Sequence, residues 1–464
     1  MGLIYGPTES VTPAAGERLR LSGQSLRVPA DGASYAVELG SERLLFCPEQ
    51  RLDGETADGL PILVFNPERA ARGIPHRLRL APGEQLRLSY QSPGHRLLFD
   101  APREAFRRDL QVRYDGDTLT FRDPIPELGT HLTRLDDDGG LLERRQASLR
   151  LIADAYGGPV KRLLPAEALD TLQRVNVLMR TERFRSPDRL DNPGALLKLP
   201  PEVTPILVAD LHGKVDNLLR ILSANGYVEA MARGDAAMIL LGDAVHPEEP
   251  TELMEMDSSI LIMDLIFKLK LRFPERFFFL IGNHDSYSAE VMKGGVPQGL
   301  LWRQAITRAR GETYRDALQS FYQSTALVAY SEAFIACHAS PPRGSYTRES
   351  LIAARQEPNR VHQITWDRAR TPGFPDGYSK GDVRQLRRAL KVDKETPLLL
   401  GHYPRSRDRT VWMHADHIPN HHIFYSAMNS DVSVFTQVGD EMVPQTYPVE
   451  PVGRWLNEQG WLKA

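Results

Sequence analysis

The chain has 464 residues, and 57 Lys and Arg against 60 Asp and Glu leave a net charge of -3, which gives no global electrostatic case for nucleic acid or an anionic membrane surface. Apolar residues make up 41% and charged ones 25%, ordinary globular values, and no apolar run approaches the ~18 residues that a membrane span needs. Cys47 and Cys337 stand far apart without a Cys-x-x-Cys spacing, which argues against a disulfide framework and for a reducing cytoplasm. Met1-Gly2-Leu3-Ile4-Tyr5-Gly6 has no basic region followed by an apolar core, and Gly6 stands where a myristoylation signal has Ser or Thr. A cytoplasmic protein is expected, and its composition is also compatible with export by a route that needs no signal.

The length allows roughly three domains. Residues 1–140 read as short alternating or β-branched stretches cut by Gly, Pro and Asp, among them Leu78–Leu80, Gln85–Leu88 and Leu110–Phe121. In the last of these Asp115-Gly116 predicts a hairpin turn. The stretch is expected to form an all-β sandwich module. Over 141–203, Ala147–Ala155 and Ala166–Arg180 carry apolar residues at helical spacing, and Arg183–Val203 is polar and Pro-rich. These predict a helical connector and an exposed loop leading into the next domain. From 204 to 464 strands alternate with helices at Gly213–Asn225, Ser258–Phe273 and Leu300–Gln323, before strands return at His422–Ser426 and Val432–Phe435. That alternation predicts an α/β core.

Five apolar runs in this last part each end on metal-binding residue types. Pro205–Ala209 precede Asp210 and His212, and Met238–Leu241 precede Gly242-Asp243. Phe277–Ile281 precede Gly282-Asn283-His284-Asp285, Ala333–Cys337 precede His338, and Leu398–Leu400 precede Gly401-His402. Buried strands read as continuous apolar runs, and open α/β sheets place ligands outside the carboxyl ends of their strands, so one crevice can collect all five tips. Asp210 and His212 make half a site, and Asp243 has two oxygens with which to bridge a pair of ions. Asn283, His338 and His402 would complete a second ion. This mixture of carboxylate, amide and imidazole suits Mn, Fe or Zn better than Mg or Ca. Each motif alone recurs by chance, and only their joint order carries weight.

The constellation resembles the calcineurin-like metallophosphoesterases over about Thr204 to Pro448. Ala209-Asp210-Leu211-His212-Gly213, Asp216-Asn217-Leu218-Leu219-Arg220 and Phe424-Tyr425-Ser426-Ala427-Met428-Asn429 are similar to segments of the phosphoprotein phosphatase (PPP) branch in particular. Pro404, where other branches place a further metal-binding His, points the same way. The resemblance implies a core of two facing β-sheets flanked by helices. It further implies a first metal held by Asp210, His212 and Asp243, and a second held by Asp243, Asn283, His338 and His402. Mn is the first expectation, with Fe or Zn as alternatives. Two ions about 3.5–4 Å apart would clamp a phosphoryl group and lower the pKa of a shared water that attacks phosphorus in line. His284 would protonate the leaving oxygen.

Two helpers of that branch are missing. Its Val-Asp-Arg-Gly stretch, whose Asp orients the general acid and whose Arg grips phosphate, is here replaced within Ala244-Val245-His246-Pro247-Glu248-Glu249. Arg343, Arg368, Arg370 and Arg405, near the predicted strand tips, are candidates for the missing cation, and His246 for orienting His284 or contacting substrate. Glu248 and Glu249 add negative charge beside the site. His414, His417, His421 and His422 are read as turn and strand residues rather than as a further metal site.

In the front module, Leu80–Leu86, Arg107–Val112, Asp123 and Leu128–Leu132 resemble a forkhead-associated domain, a phosphothreonine-binding β-sandwich. The Ser-x-x-His that carries binding there is absent around Phe106–Asp109, so packing or contact with a protein partner is the expected use. The expected function is a metal-dependent phosphoprotein phosphatase acting on phosphate monoesters, with a phosphoprotein or phosphopeptide as partner and neither nucleic acid nor membrane. A dinucleoside polyphosphate hydrolase and a catalytically weak phosphate-binding scaffold are the alternatives.

Overall fold

In the computed structural model, which describes residues 7–49, 51–52, 60–89, 95–99, 109–125, 129–136 and 140–458, the chain divides into two units, Met1–Ala147 and Ser148–Ala464. The described strands of the first are β1 (Thr8–Ser10), β2 (Arg18–Arg20), β3 (Ser25–Pro29), β4 (Ser34–Leu39), β5 (Glu42–Pro48), β6 (Ile62–Phe65), β7 (Leu78–Leu80), β8 (Gln85–Ser89), β9 (Asp109–Tyr114), β10 (Thr118–Arg122) and β11 (Thr130–Leu135). They form two sheets, ordered β1-β3-β10-β9-β8 and β2-β11-β4-β5-β6-β7. Leu26, Val28, Leu119 and Phe121 of one share a core with Tyr35, Val37, Phe46 and Val64 of the other, and the Phe121 ring stands edge-on to Phe46 at 5.1 Å. The expected sandwich follows from these alternating strands, with two short helices, Pro67–Arg72 and His95–Leu98, between them. The hairpin read from Asp115-Gly116 is the β9–β10 pair, with Gly116 at φ +98.

Some residues behind the second resemblance have structural work. Asp123 is wholly buried and accepts from the Ile125 amide at 2.9 Å and from the buried Thr130 hydroxyl. Phe106, Arg107, Arg108 and Leu128 lie outside the described residues.

The strands of the second unit are β12 (Arg185–Pro187), β13 (Pro193–Lys198), β14 (Thr204–Val208), β15 (Ala236–Leu240), β16 (Phe277–Phe279), β17 (Val328–Tyr330), β18 (Ile335–Cys337), β19 (Leu398–Leu400), β20 (Val411–Trp412), β21 (His421–Phe424), β22 (Asp431–Val438) and β23 (Glu441–Pro448). A five-stranded sheet runs β16-β15-β14-β22-β23 and a seven-stranded one β12-β13-β17-β18-β19-β21-β20. Leu207, Ala237, Ile239, Phe278 and Phe435 of the first meet Leu197, Ala329, Ala336, Leu399 and Phe424 of the second in one core, so the sheets face each other. Helices Arg348–Ile352, Pro358–Trp366 and Lys380–Leu390 cover the far side of the seven-stranded sheet through Leu351, Ile364, Leu386 and Leu390. Val215–Leu222, Tyr227–Arg233 and Asp257–Arg272 lie against β22, β15 and β16.

Two expectations change. The stretch 183–203, read as an exposed loop, instead supplies β12 and β13 at the edge of the large sheet, with Ala195, Leu196 and Leu197 wholly buried. Pro193 and Gly194 in front of so short an apolar run hid the strand. Gly194 is needed there, because a Cβ would stand 2.6 Å from the Ser186 carbonyl and 2.4 Å from the Ile352 side chain. The single helix read over Leu300–Gln323 is two, Gln298–Arg310 and Glu312–Ser324, separated at Gly311 with φ +87. The second connector helix, Pro165–Met179, packs against Asp257–Arg272 and Glu312–Ser324. No helix among the described residues is long and apolar enough to cross a membrane.

Candidate metal centre

Strands β14, β15 and β16 are parallel neighbours in one sheet, and β18 and β19 are parallel neighbours in the other. Their carboxyl ends lead into Asp210 and His212, Asp243, Asn283, His338 and His402, so the placement of ligands outside strand ends is met by both sheets at once. The sheets are stitched at this edge. The His402 amide donates to both oxygens of Asp210 at 3.0 and 2.8 Å, and His338 Nδ1 lies 3.0 Å from the Leu241 carbonyl. His212, Asp243, His246 and His402 all have left-handed backbone, with φ of 44, 51, 71 and 68°. Such non-glycine conformations cost of order 1–3 kcal/mol each and gather where a site demands them.

The donors form two groups sharing one carboxylate, Asp210, His212 and Asp243, then Asp243, His338 and His402. Each histidine has one ring nitrogen on backbone carbonyls and the other turned inward. His212 Nδ1 faces the Val245 and His246 carbonyls at 3.2 and 3.0 Å, His338 Nδ1 faces Leu241, and His402 Nε2 faces Trp366 at 3.1 Å. With the N–H on the carbonyl side, the neutral rings have their lone pairs on His212 Nε2, His338 Nε2 and His402 Nδ1, where either an ion or a second proton can sit. Those lone pairs meet other acceptors. His212 Nε2 is 3.8 Å from Asp210 Oδ1 and 3.9 Å from Asp243 Oδ2, while His338 Nε2 is 3.3 Å from Asp243 Oδ2 and 3.2 Å from His402 Nδ1.

The Asn283 side-chain oxygen sits 3.0 Å from His338 Nε2, also within 2.9 Å of His402 Nδ1 and 3.2 Å of Asp243 Oδ2. An oxygen aimed at three acceptors is repelled unless a cation sits among them. Turned over, the amide would donate to the same atoms and to the Thr365 carbonyl at 3.3 Å, so the position suits Asn283 as a donor without an ion and as an oxygen ligand with one. Burial pushes Asp210 up to about 6, and His338, which burial alone would lower, is carried up to about 9 by Asp243. Buried carboxylates this close call for positive charge, and the donor set fits two divalent ions.

Asp285 is wholly buried and accepts from the Asp243, Gly282 and Ala244 amides at 2.7, 2.9 and 3.1 Å, tying the loop after β15 to the loop after β16. Burial, then the charge of Asp243, pushes its carboxyl up to about 7. The His284 amide donates to Asp243 Oδ1 at 2.8 Å, which fixes the backbone of the expected general acid. Its Nδ1 lies 3.1 Å from Nδ1 of His246, so a histidine takes the orienting place left by the missing Asp. His246 is wholly buried, and its Nε2 has no partner among the described residues. A bare acceptor is tolerated better than an orphaned N–H, which favours His246 donating from Nδ1 and His284 carrying its proton on Nε2. Burial lowers His284 to about 4 although Asp243 works against it, so it is a neutral imidazole at neutral pH. His246→Phe keeps a ring edge-on to Trp302 (6.2 Å) but removes the nitrogen. It is expected to lower kcat by roughly ten- to a hundredfold with KM and metal content unchanged. An unchanged kcat would reduce His246 to packing.

The four candidate arginines separate. Arg368 lies over the Tyr403 ring at 4.0 Å, next to His402, and its charge helps lower that histidine after burial and His338 have done so. Arg343 is ion-paired with Asp367 at 2.8 Å, and Arg405 with Asp416. Arg370 and Arg405 line, with Arg409, Trp412 and His417, a cleft of about 770 Å³ in which none of the six ligand candidates takes part. Of the four, Arg368 is the one whose charge is felt at a candidate ligand, His402. Glu249 accepts from Asn429 Nδ2 at 2.9 Å. Glu248 is ion-paired with Lys293 and accepts the Tyr425 hydroxyl. The four-histidine segment is structural: His421 is held by Tyr378 Oη (2.8 Å) and the Ala415 carbonyl (2.9 Å), and His422 Nδ1 accepts the His414 amide.

The two phosphatase-like segments outside the ligands lock together. Asn217 Nδ2 donates to the Ser426 and Met428 carbonyls at 2.7 and 3.1 Å, and Lys214 Nζ to Asn429 Oδ1 at 2.6 Å. Asp285, Lys293 and Tyr425 had no assigned role from the sequence. Asp285, directly after Gly-Asn-His, was legible in principle as a buried loop tie, whereas nothing marked Lys293.

Residues 204–430 match the model of the calcineurin-like phosphoesterase family. Over 91 residues the chain is 33% identical to serine/threonine-protein phosphatase PP1-delta of Caenorhabditis elegans, a match spanning 20% of this chain and 25% of that relative. Among solved structures, a Saccharomyces cerevisiae protein serine/threonine phosphatase with similarity to human phosphatase PP5 aligns over 62% of this chain and 91% of its own, at 14% identity and a TM-score of 0.47. A cold-active protein-tyrosine phosphatase of Shewanella sp. aligns over 55% and 83%, at 11% identity and a TM-score of 0.34. Residues 204–430, just under half of the chain, are thus similar to the calcineurin-like phosphoesterases, and the match to the curated relative spans a quarter of that relative's length.

Proposed function

We propose that this chain is a metal-dependent phosphoprotein phosphatase. The observation that carries the reading is the convergence of three histidine lone pairs, Asn283 and two carboxylates, with every opposite histidine nitrogen tied to a backbone carbonyl. Asp210, His212 Nε2 and Asp243 would hold one ion, and Asp243, Asn283, His338 Nε2 and His402 Nδ1 the other, with Mn as the first expectation. Bound there, such ions supply Lewis acidity and a water acidic enough to attack phosphorus at neutral pH. His284, its tautomer set by His246, presents its Nε2–H to the leaving oxygen as a hydrogen-bond donor and would act as general acid only after taking up a second proton in the substrate complex, and Arg368 approaches phosphoryl oxygens from the His402 side. The serine/threonine phosphatase relative supports a phosphorylated protein as the substrate.

The test compares three substrates on the full chain with Mn, namely p-nitrophenyl phosphate, a phosphoserine or phosphothreonine peptide, and a dinucleoside tetraphosphate. Hydrolysis of the first two that is abolished by a chelator and restored by Mn is the expected result. Preference for the dinucleotide would make the chain a nucleotide hydrolase. Phosphate binding without turnover would make it a scaffold.

A further inference from the structure

A phosphate monoester brings about two negative charges, and Pro247 and its neighbours offer no arginine on the side of the first ion. Beside Lys214, whose ammonium is held by Asn429, the described residues place a second ammonium there. Glu248 Oε1 is 3.7 Å from His212 Nε2, the nitrogen that faces the first donor group. That same oxygen is ion-paired with Lys293 Nζ, so the ammonium stands one hydrogen bond beyond the centre. Glu248 is outside the group formed by Asp210, His212 and Asp243, and its Oε1 lies between the His212 nitrogen and the Lys293 ammonium.

Both partners are fixed. Glu248 receives the Tyr425 hydroxyl on its other oxygen, and the Tyr425 ring lies 5.9 Å from that of His212. The Pro247 carbonyl in front of it accepts from the buried Gln298 side chain at 2.7 Å. Lys293 opens a closed two-residue turn. Its amide donates to the Val296 carbonyl at 3.0 Å, the Val296 amide donates back at 2.8 Å, and Gly294 and Gly295 between them take φ +53 and +80. An ammonium has three donors, Glu248 engages it on one side, and the side chain remains 40% exposed. A phosphoryl oxygen can reach the rest.

We propose that Lys293, positioned by Glu248, binds the substrate's phosphoryl oxygens on the side of the first ion. This rests on the phosphatase reading for its substrate but is tested apart from turnover. Binding of inorganic phosphate to the full-length Mn-loaded chain is measured by calorimetry, with metal content and circular dichroism as controls on loading and fold. Lys293→Met is expected to weaken phosphate binding roughly tenfold with Mn content unchanged, and Lys293→Arg to stay within about threefold of the natural chain. Phosphate binding by Lys293→Met equal to that of the natural chain would overturn the proposal. Should the natural chain bind phosphate through Lys293 yet hydrolyse no ester, the anion site stands and the phosphatase reading falls.

Discussion

Asp243→Asn is expected to cut phosphate-ester hydrolysis at least about a thousandfold and to strip the protein of most of its bound Mn. Asp243 is the only residue common to both donor groups. Its Oδ1 accepts the His284 amide at 2.8 Å and its Oδ2 looks at His338 and His212. An asparagine can keep its oxygen on the His284 amide, which places an NH2 where the bridging oxygen was. That group would donate to the His338 lone pair and repel an ion. Without metal, Asp243 is the carboxylate that holds the buried His338 imidazolium and is itself held ionised by it, so the exchange strands that charge and the melting temperature in chelator should also fall. With metal, the natural chain gains stability by mass action and the variant does not. Thermal melts with and without Mn, next to metal analysis and a p-nitrophenyl phosphate assay, separate these effects. Turnover that survives the substitution, or that needs no metal, would remove the dinuclear reading.

The parts of the centre that were legible in the sequence are those where two signals coincide. Asp210, Asp243, His338 and His402 each follow an apolar run, and a buried strand followed by a metal-binding side chain constrains both position and chemistry. Their partners were not legible in the same way. Asp285 works through backbone amides, a role that any sequence position after a tight turn could fill. His246 stands in the place of a missing Asp, and only the fold brings its Nδ1 within 3.1 Å of His284 Nδ1. Lys293 lies on a Gly-Gly turn between helices, with no periodicity to point at the centre. Nearness to a strand tip does not set where an arginine points, and the fold turns Arg370 and Arg405 into a cleft that none of the six ligand candidates lines. Strand β13 was missed because three apolar residues behind Pro-Gly give no repeat long enough to read.

Gly282→Ala is expected to cost at least about 3 kcal/mol of stability and to lower metal binding with it, a larger loss than a methyl group on a loop usually brings. The backbones after β15 and β16 meet face to face. A Cβ on Gly282 would stand 2.1 Å from Asp243 Oδ1 and 2.5 Å from the Asp243 nitrogen, and a Cβ on Gly242 would stand 2.1 Å from the Gly282 nitrogen. That closeness allows Asp285 to collect the Asp243, Ala244 and Gly282 amides on one carboxylate, and it sets the distance between the ligands Asp243 and Asn283. The obstructing atoms are backbone and a buried carboxylate, neither of which swings away as a flexible side chain would. Relief requires the two strand ends to part, which breaks the Asp285 amide bonds and moves Asp243 away from His338 together. Gly439→Ala supplies the contrast. Its φ is +61 and a Cβ there would meet nothing within 4 Å, so only the backbone preference is at stake, about 1 kcal/mol. Denaturant unfolding of the two variants therefore compares steric closure at the centre with ordinary glycine strain at a turn. Equal losses would mean that the approach of the two strand ends does not hold the centre in shape.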